Sequence, residues 1–215
     1  MTKKNPDGSF YAEFIEFAFN RDSDVDSWAW DLNSEPTSSP EELAAAIRHL
    51  CVNAGDNLKP FNNLQVAGGL TYIFNSSFSN YGSDLVHGEM PPELRSSVFQ
   101  SLNVLYAECF ALRCDPVLSN GKSKGPDNPL NSVCYMFWDA SHLSTGGTDA
   151  LQVMENSLYH NNVACIESGL HGLGHAAYDN KIYVEAAIDK LLASSNITDE
   201  NLLTYAMAAR SGYIQ

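Results

Sequence analysis

Four helical segments follow one another between Asp149 and Arg210 with almost no chain between them. The apolar spacing places them at about Asp149–Leu158, Asn162–Tyr178, Ile182–Ala193 and Asp199–Arg210. Asn161 or Asn162, Asp179 or Asn180, and Thr198 supply side-chain oxygens that can accept from the free backbone N–H groups of a first helical turn. Connections this short oblige consecutive helices to pack antiparallel. No Val/Ile/Thr-rich alternating run elsewhere argues for a sheet. The expected fold class is all-α.

The rest of the chain agrees. Phe10, Phe14, Phe17 and Ala18 give one apolar face to a helix over Phe10–Phe19. A polar, acidic stretch follows over 21–39, where Trp28 and Trp30 are expected to pin the loop onto the body by their large apolar area. Ser39-Pro40-Glu41-Glu42 reads as a capping box with proline at the first helical position. That helix should run to Asn53 and stop at Gly55. A further helix is expected over Pro60–Phe74. Pro91-Pro92-Glu93 opens the longest one, to Arg113, with Val98, Leu102, Leu105, Cys109 and Leu112 as its apolar stripe and Asp115-Pro116 as its stop. Residues 119–129 read as a loop, and Leu130–Ala140 as a helix. Residues 1–215 are thus expected to form a single all-helical domain, with 21–39 and 119–129 as loops.

Charge and cysteine content remove several functions. The chain has 12 Lys and Arg against 26 Asp and Glu, a net charge of −14. So acidic a balance argues against a nucleic-acid partner, which needs a basic surface to release counterions, and against docking on an anionic membrane. No apolar run approaches the roughly 20 residues of a membrane span, and MTKKNPDGSF lacks the apolar centre of a signal peptide. The expectation is a soluble cytoplasmic protein, bacterial in character, whose partner is another protein. The five cysteines, Cys51, Cys109, Cys114, Cys134 and Cys165, fall mostly within apolar helical patterns and contain no CxxC pair, so buried free thiols are expected.

The segment from Asn162 to Tyr178 carries the most chemistry. On a helical wheel at about 100° per residue it has three faces. Val163, Ile166, Leu170, Leu173 and Ala177 form an apolar stripe. Cys165, Gly169, Gly172 and Ala176 form a stripe of small residues that admits another helix closely, which gives the glycines a packing role against a propensity cost of about 1 kcal/mol each. Glu167, Ser168, His171 and His175 take the third face. Imidazoles at i and i+4 can ligate one divalent transition metal such as zinc, and Glu167 adds a carboxylate one turn earlier. Eight residues rise about 12 Å, too far for one helix to supply all three ligands cleanly, so a metal site would recruit His142, His160 or an acidic residue from another helix. Two other readings compete: Glu167, His171 and His175 as a protein-binding surface, or simply as a hydrogen-bonded polar face. On the last two readings no cofactor is needed.

SGLHGLGHAAY, Ser168–Tyr178, resembles the second helix of a HEAT repeat, where small residues alternate with leucines, and VAGGLTYIF, Val66–Phe74, has a similar texture. The resemblance covers about the last 70 residues. It implies a HEAT-like stack of antiparallel helix pairs in a right-handed α-α superhelix, with an irregular bundle as the alternative. It also implies a protein–protein interaction or scaffolding role, with no catalytic residues.

Other chemistry finds little support. HExxH, a duplicated Glu-x-x-His and phosphate-binding loops are missing. Cys165 and His171 point about 120° apart on a helix, which disfavours a nucleophile–base pair. His87-Gly88-Glu89 reads as a loop with nothing nearby to complete a site.

Overall fold

The computed structural model describes residues 10–22, 24–30, 35–119, 127–194 and 199–214. Among them there is no strand. The helices are α1 (Phe10–Phe19), α2 (Pro40–Val52), α3 (Ala54–Leu58), α4 (Asn63–Phe74), α5 (Tyr81–His87), α6 (Pro92–Leu105), α7 (Ala111–Arg113), α8 (Pro129–Tyr135), α9 (Gly147–Ser157), α10 (Val163–Ala193) and α11 (Glu200–Arg210). A π-helical segment, Tyr106–Phe110, joins α6 to α7, and 3₁₀ turns occupy Val25–Ser27 and His142–Thr145. Among the described residues no helix is long and apolar enough to cross a membrane.

One continuous apolar core runs from Phe14 in α1 to Ala209 in α11. Two packing centres share it. In the first, α2 lies on α6, and α4 lies on α1 and α8. In the second, α10 lies between α9 and α11 and also touches α8. Contacts of α6 with α9 and of α8 with α10 join the two.

Local chemistry explains the boundaries. Ser39 Oγ accepts from the Glu42 N–H at 3.2 Å, while Glu42 Oε2 accepts from the Ser39 N–H at 3.0 Å, the reciprocal box expected at the start of α2. α2 breaks at Asn53, but Gly55 does not stop the chain: it lies inside α3, where its N–H donates to Glu108 Oε2 at 3.0 Å. The next helix starts at Asn63 rather than Pro60, because Asn62 and Gln65 form a second capping box. Arg113 fixes the α3–α4 turn by donating to the carbonyls of Leu58 and Phe61 at 3.0 and 2.7 Å and to Asn63 Oδ1 at 2.9 Å.

The π segment corrects the stripe expected along α6. Its extra residue rotates the chain, so Phe110 at its end and Cys114 beyond it are buried and Leu112 is 76% exposed. The acidic stretch is likewise only half as expected. Trp28 is buried edge-on against Phe17, whereas Trp30 is 63% exposed and touches Phe78. Within the two expected loops, 23, 31–34 and 120–126 lie outside the described residues. α8 ends at Tyr135 rather than Ala140, and tight turns carry the chain through Asp139.

α10 is two helices joined at Asn180, where the backbone leaves helical geometry (φ −127°, ψ 35°), and neither half is as long as the uninterrupted helical run from Pro92 to Arg113. The Asn180 side chain donates to the Ala176 carbonyl at 3.3 Å and takes up an acceptor that the break leaves free. The chain therefore changes course where a boundary between two helices is expected from the sequence.

Candidate metal centre

The small-residue face of α10 sets the site. A Cβ on Gly169 would overlap Ser157 and Met154 of α9, and one on Gly172 would come within 2.7 Å of the Trp138 indole. Ser168 adds a polar tether: its hydroxyl donates to the Cys134 carbonyl of α8, and the Tyr106 hydroxyl donates to Ser168 Oγ at 2.7 Å. With Trp138 wedged under Gly172 and fully buried, the next residue, Asp139, arrives beside the histidine face of α10.

That face lies mostly inside the protein and is hydrogen-bonded there. Glu167 and Ser168 are fully buried and His171 is 1% exposed; only His175 opens to solvent. His175 Nε2 lies 3.2 Å from His171 Nε2 and 3.3 Å from Asp139 Oδ1. The three ligand atoms are all within 4.8 Å of one another. Ligands 2.0–2.1 Å from a tetrahedral zinc lie about 3.3–3.4 Å apart, so the two short edges match those of a coordination polyhedron.

The surroundings orient the inner ligand. His171 Nδ1 is 2.6 Å from the Tyr205 hydroxyl of α11. An Nδ1–H donated to Tyr205 leaves the Nε2 lone pair facing His175 and Asp139, the tautomer that a metal requires. The Tyr205 hydroxyl in turn hydrogen-bonds to that of Tyr135, whose ring lies 4.4 Å from the imidazole of His171. Burial, with the nearby His175 charge adding to it and Asp139 opposing, pushes the His171 pKa down to about 4. The ring is therefore neutral at physiological pH and available as a ligand. Burial and the bond to Tyr135 drive the Tyr205 hydroxyl upward, so it stays protonated.

Of the three residues singled out in the sequence, the fold brings together His171 and His175 and sets Glu167 apart. Glu167 Oε2 accepts from the Ser119 N–H at 2.7 Å, and its charge reaches Tyr135 and Tyr205 from behind the cluster. Neither histidine anticipated as a further ligand joins the site. His160 stacks on Tyr106 with its pKa lowered by burial, and His142 sits in a 3₁₀ turn beside Gly82. Gly88 in the His87-Gly88-Glu89 loop is held by Arg95, which donates to its carbonyl at 2.6 Å. The residue missed is Asp139, which lies in a turn and carries no periodic signal. All five cysteines are free and buried; burial raises the thiols of Cys51 and Cys109 to about 12.

No family model, curated protein or solved structure matches this chain.

Proposed function

We propose that this protein binds one divalent transition metal, zinc in the first instance, through Asp139 Oδ1, His171 Nε2 and His175 Nε2. The convergence of these three atoms at 3.2–3.3 Å across the two short edges carries the reading. The buried second-sphere bond from His171 to Tyr205 supports it. Two histidines and one carboxylate leave a coordination position for water, the pattern of catalytic rather than structural zinc. His175 and Asp139 side chains are 39% and 40% exposed, so that position is reachable from solvent. Metal-assisted hydrolysis of a small substrate is the activity this arrangement suits best.

Metal analysis of protein purified without a histidine tag tests the proposal. About one equivalent of metal, lost in both His171→Ala and His175→Ala, is the expected result. Less than about 0.1 equivalents, with no rise in melting temperature on adding zinc, would sink it, since a ligand at 100 times its Kd stabilises a fold by about 2.7 kcal/mol.

The second reading is a HEAT-like interaction module for another protein. Its support is the successive packing of α9, α10 and α11, together with the exposure of Tyr178 (94%) and Ile182 (87%) on α10. The pairing of α2 with α6 and of α4 with α8 favours the irregular bundle over a nearest-neighbour stack.

A further inference from the structure

A cleft of about 500 Å³ opens beside the cluster, and His175 is one of its walls. The volume falls in the range of small-molecule sites. Its other walls come from both sides of the Asn180 break and from the end of α11: Tyr178, Lys181, Glu185, Arg210 and Gly212.

The charges here are unequally committed. Arg210 is spent inside the fold, with Nε and Nη2 donating to the two oxygens of Asp189 at 2.6 and 2.9 Å and Nη1 3.5 Å from Glu185. Lys181 has no ion pair among the described residues. In a chain with 26 acidic residues, an unpaired lysine on the wall of a cleft is available to an incoming anion. Beside it, Ala177 and the exposed ring of Tyr178 offer an apolar surface. His175 and Lys181 stand on opposite sides of the Asn180 break, and both line the cleft. A volume of about 500 Å³ admits an aryl-substituted carboxylic acid.

Resting on the metal reading above, we infer that the cleft takes a small organic anion. Its carboxylate or phosphate lies at Lys181, its apolar body against Tyr178, and its opposite end at the metal position next to His175.

The test uses the full chain loaded with cobalt(II), whose visible absorption reports changes at the metal. The probes are 3-phenylpropionate, its neutral amide 3-phenylpropanamide, phenyl phosphate and inorganic phosphate. Expected are saturable changes of the cobalt band with 3-phenylpropionate or phenyl phosphate and weaker binding of the amide. Which of the two organic anions binds more tightly identifies the headgroup. Lys181→Gln should weaken the anion about fivefold, the effect of one partly exposed charge pair, while cobalt affinity and amide binding stay unchanged. Equal binding of acid and amide, an unaltered response in Lys181→Gln, or inorganic phosphate binding as tightly as the aryl compounds overturns the inference while leaving the metal site standing. Failure to develop a cobalt band at all overturns the metal reading, and this inference with it.

Discussion

The hydroxyl of Tyr205 lies 2.6 Å from Nδ1 of His171, on the opposite side of the imidazole from the nitrogen that faces His175 and Asp139. With the His171 Nδ1–H donating to that hydroxyl, α11 selects the tautomer of a side chain on α10. Tyr205→Phe keeps the ring and removes this bond together with the one to the Tyr135 hydroxyl. Metal affinity should fall about 10- to 100-fold, the usual cost of losing an outer-shell partner. Competition titration with a chromogenic chelator measures it. An unchanged affinity would show that the phenol does not orient the ligand.

Gly172 and Gly68 should respond oppositely to alanine. At Gly172 the new methyl would press on Trp138, the residue before Asp139. Destabilisation by about 1–3 kcal/mol is expected from overpacking, together with weaker metal binding although no ligand has changed. At Gly68 in α4 the methyl would meet only the Trp28 ring, at 3.8 Å. Removing the entropy of that glycine should stabilise the protein by about 0.5–1 kcal/mol. Urea unfolding of the two variants, paired with metal titration, checks both.

Metal-free protein should lose stability as the pH falls from 6.5 towards 4. The His171 pKa lies near 6.5 in the unfolded chain and at about 4 in the fold, so within that window the unfolded state binds a proton that the native state refuses. Stability from this group is complete above 6.5, declines on acidification and levels off below 4. The full shift corresponds to about 3 kcal/mol at the 1.36 kcal/mol of one pKa unit. The difference between the wild type and His171→Gln isolates it from the carboxylates. Parallel pH profiles for the two would refute the assignment.

Thiol chemistry should be silent in the native state. Cys51 and Cys109, raised to about 12, hold almost no thiolate at pH 8, and all five cysteines are buried out of a reagent's reach. A thiol-reactive chromophore should label none of them rapidly in buffer and all five in denaturant. Rapid labelling of a native cysteine would reveal an accessible thiolate that this fold does not provide.

What the sequence disclosed depended on how local the cause was. Ser39 and Glu42 are three residues apart and form their capping box as expected. Asn62 and Gln65 follow the same logic and start α4 at Asn63, three residues beyond Pro60. The glycine face of α10 was legible because a period of 3.6 residues sorts it, and Trp138 and α9 occupy it as a tight contact. The same wheel put Glu167 on the histidine face, yet it could not show that a backbone N–H at Ser119 would claim that carboxylate. Asp139 was invisible because its place depends on how the α8 turn packs across α10, a contact between residues more than thirty apart. The π segment at Tyr106–Phe110 was hidden for a related reason: one extra residue in a turn is settled by burial on either side of it, and Leu112 was assigned to the wrong face as a result.

The departure from helical geometry at Asn180 separates the part of α10 that carries both histidines from the part that begins with Lys181. α11 bridges that joint: its Tyr205 meets His171 upstream, and its Arg210 meets Asp189 downstream. One inserted residue would turn Lys181 by about 100° about the helix axis and change the span to His175. The same turn would carry Asp189 away from Arg210, so α11, by clasping both halves of α10, holds the two walls of the cleft in register.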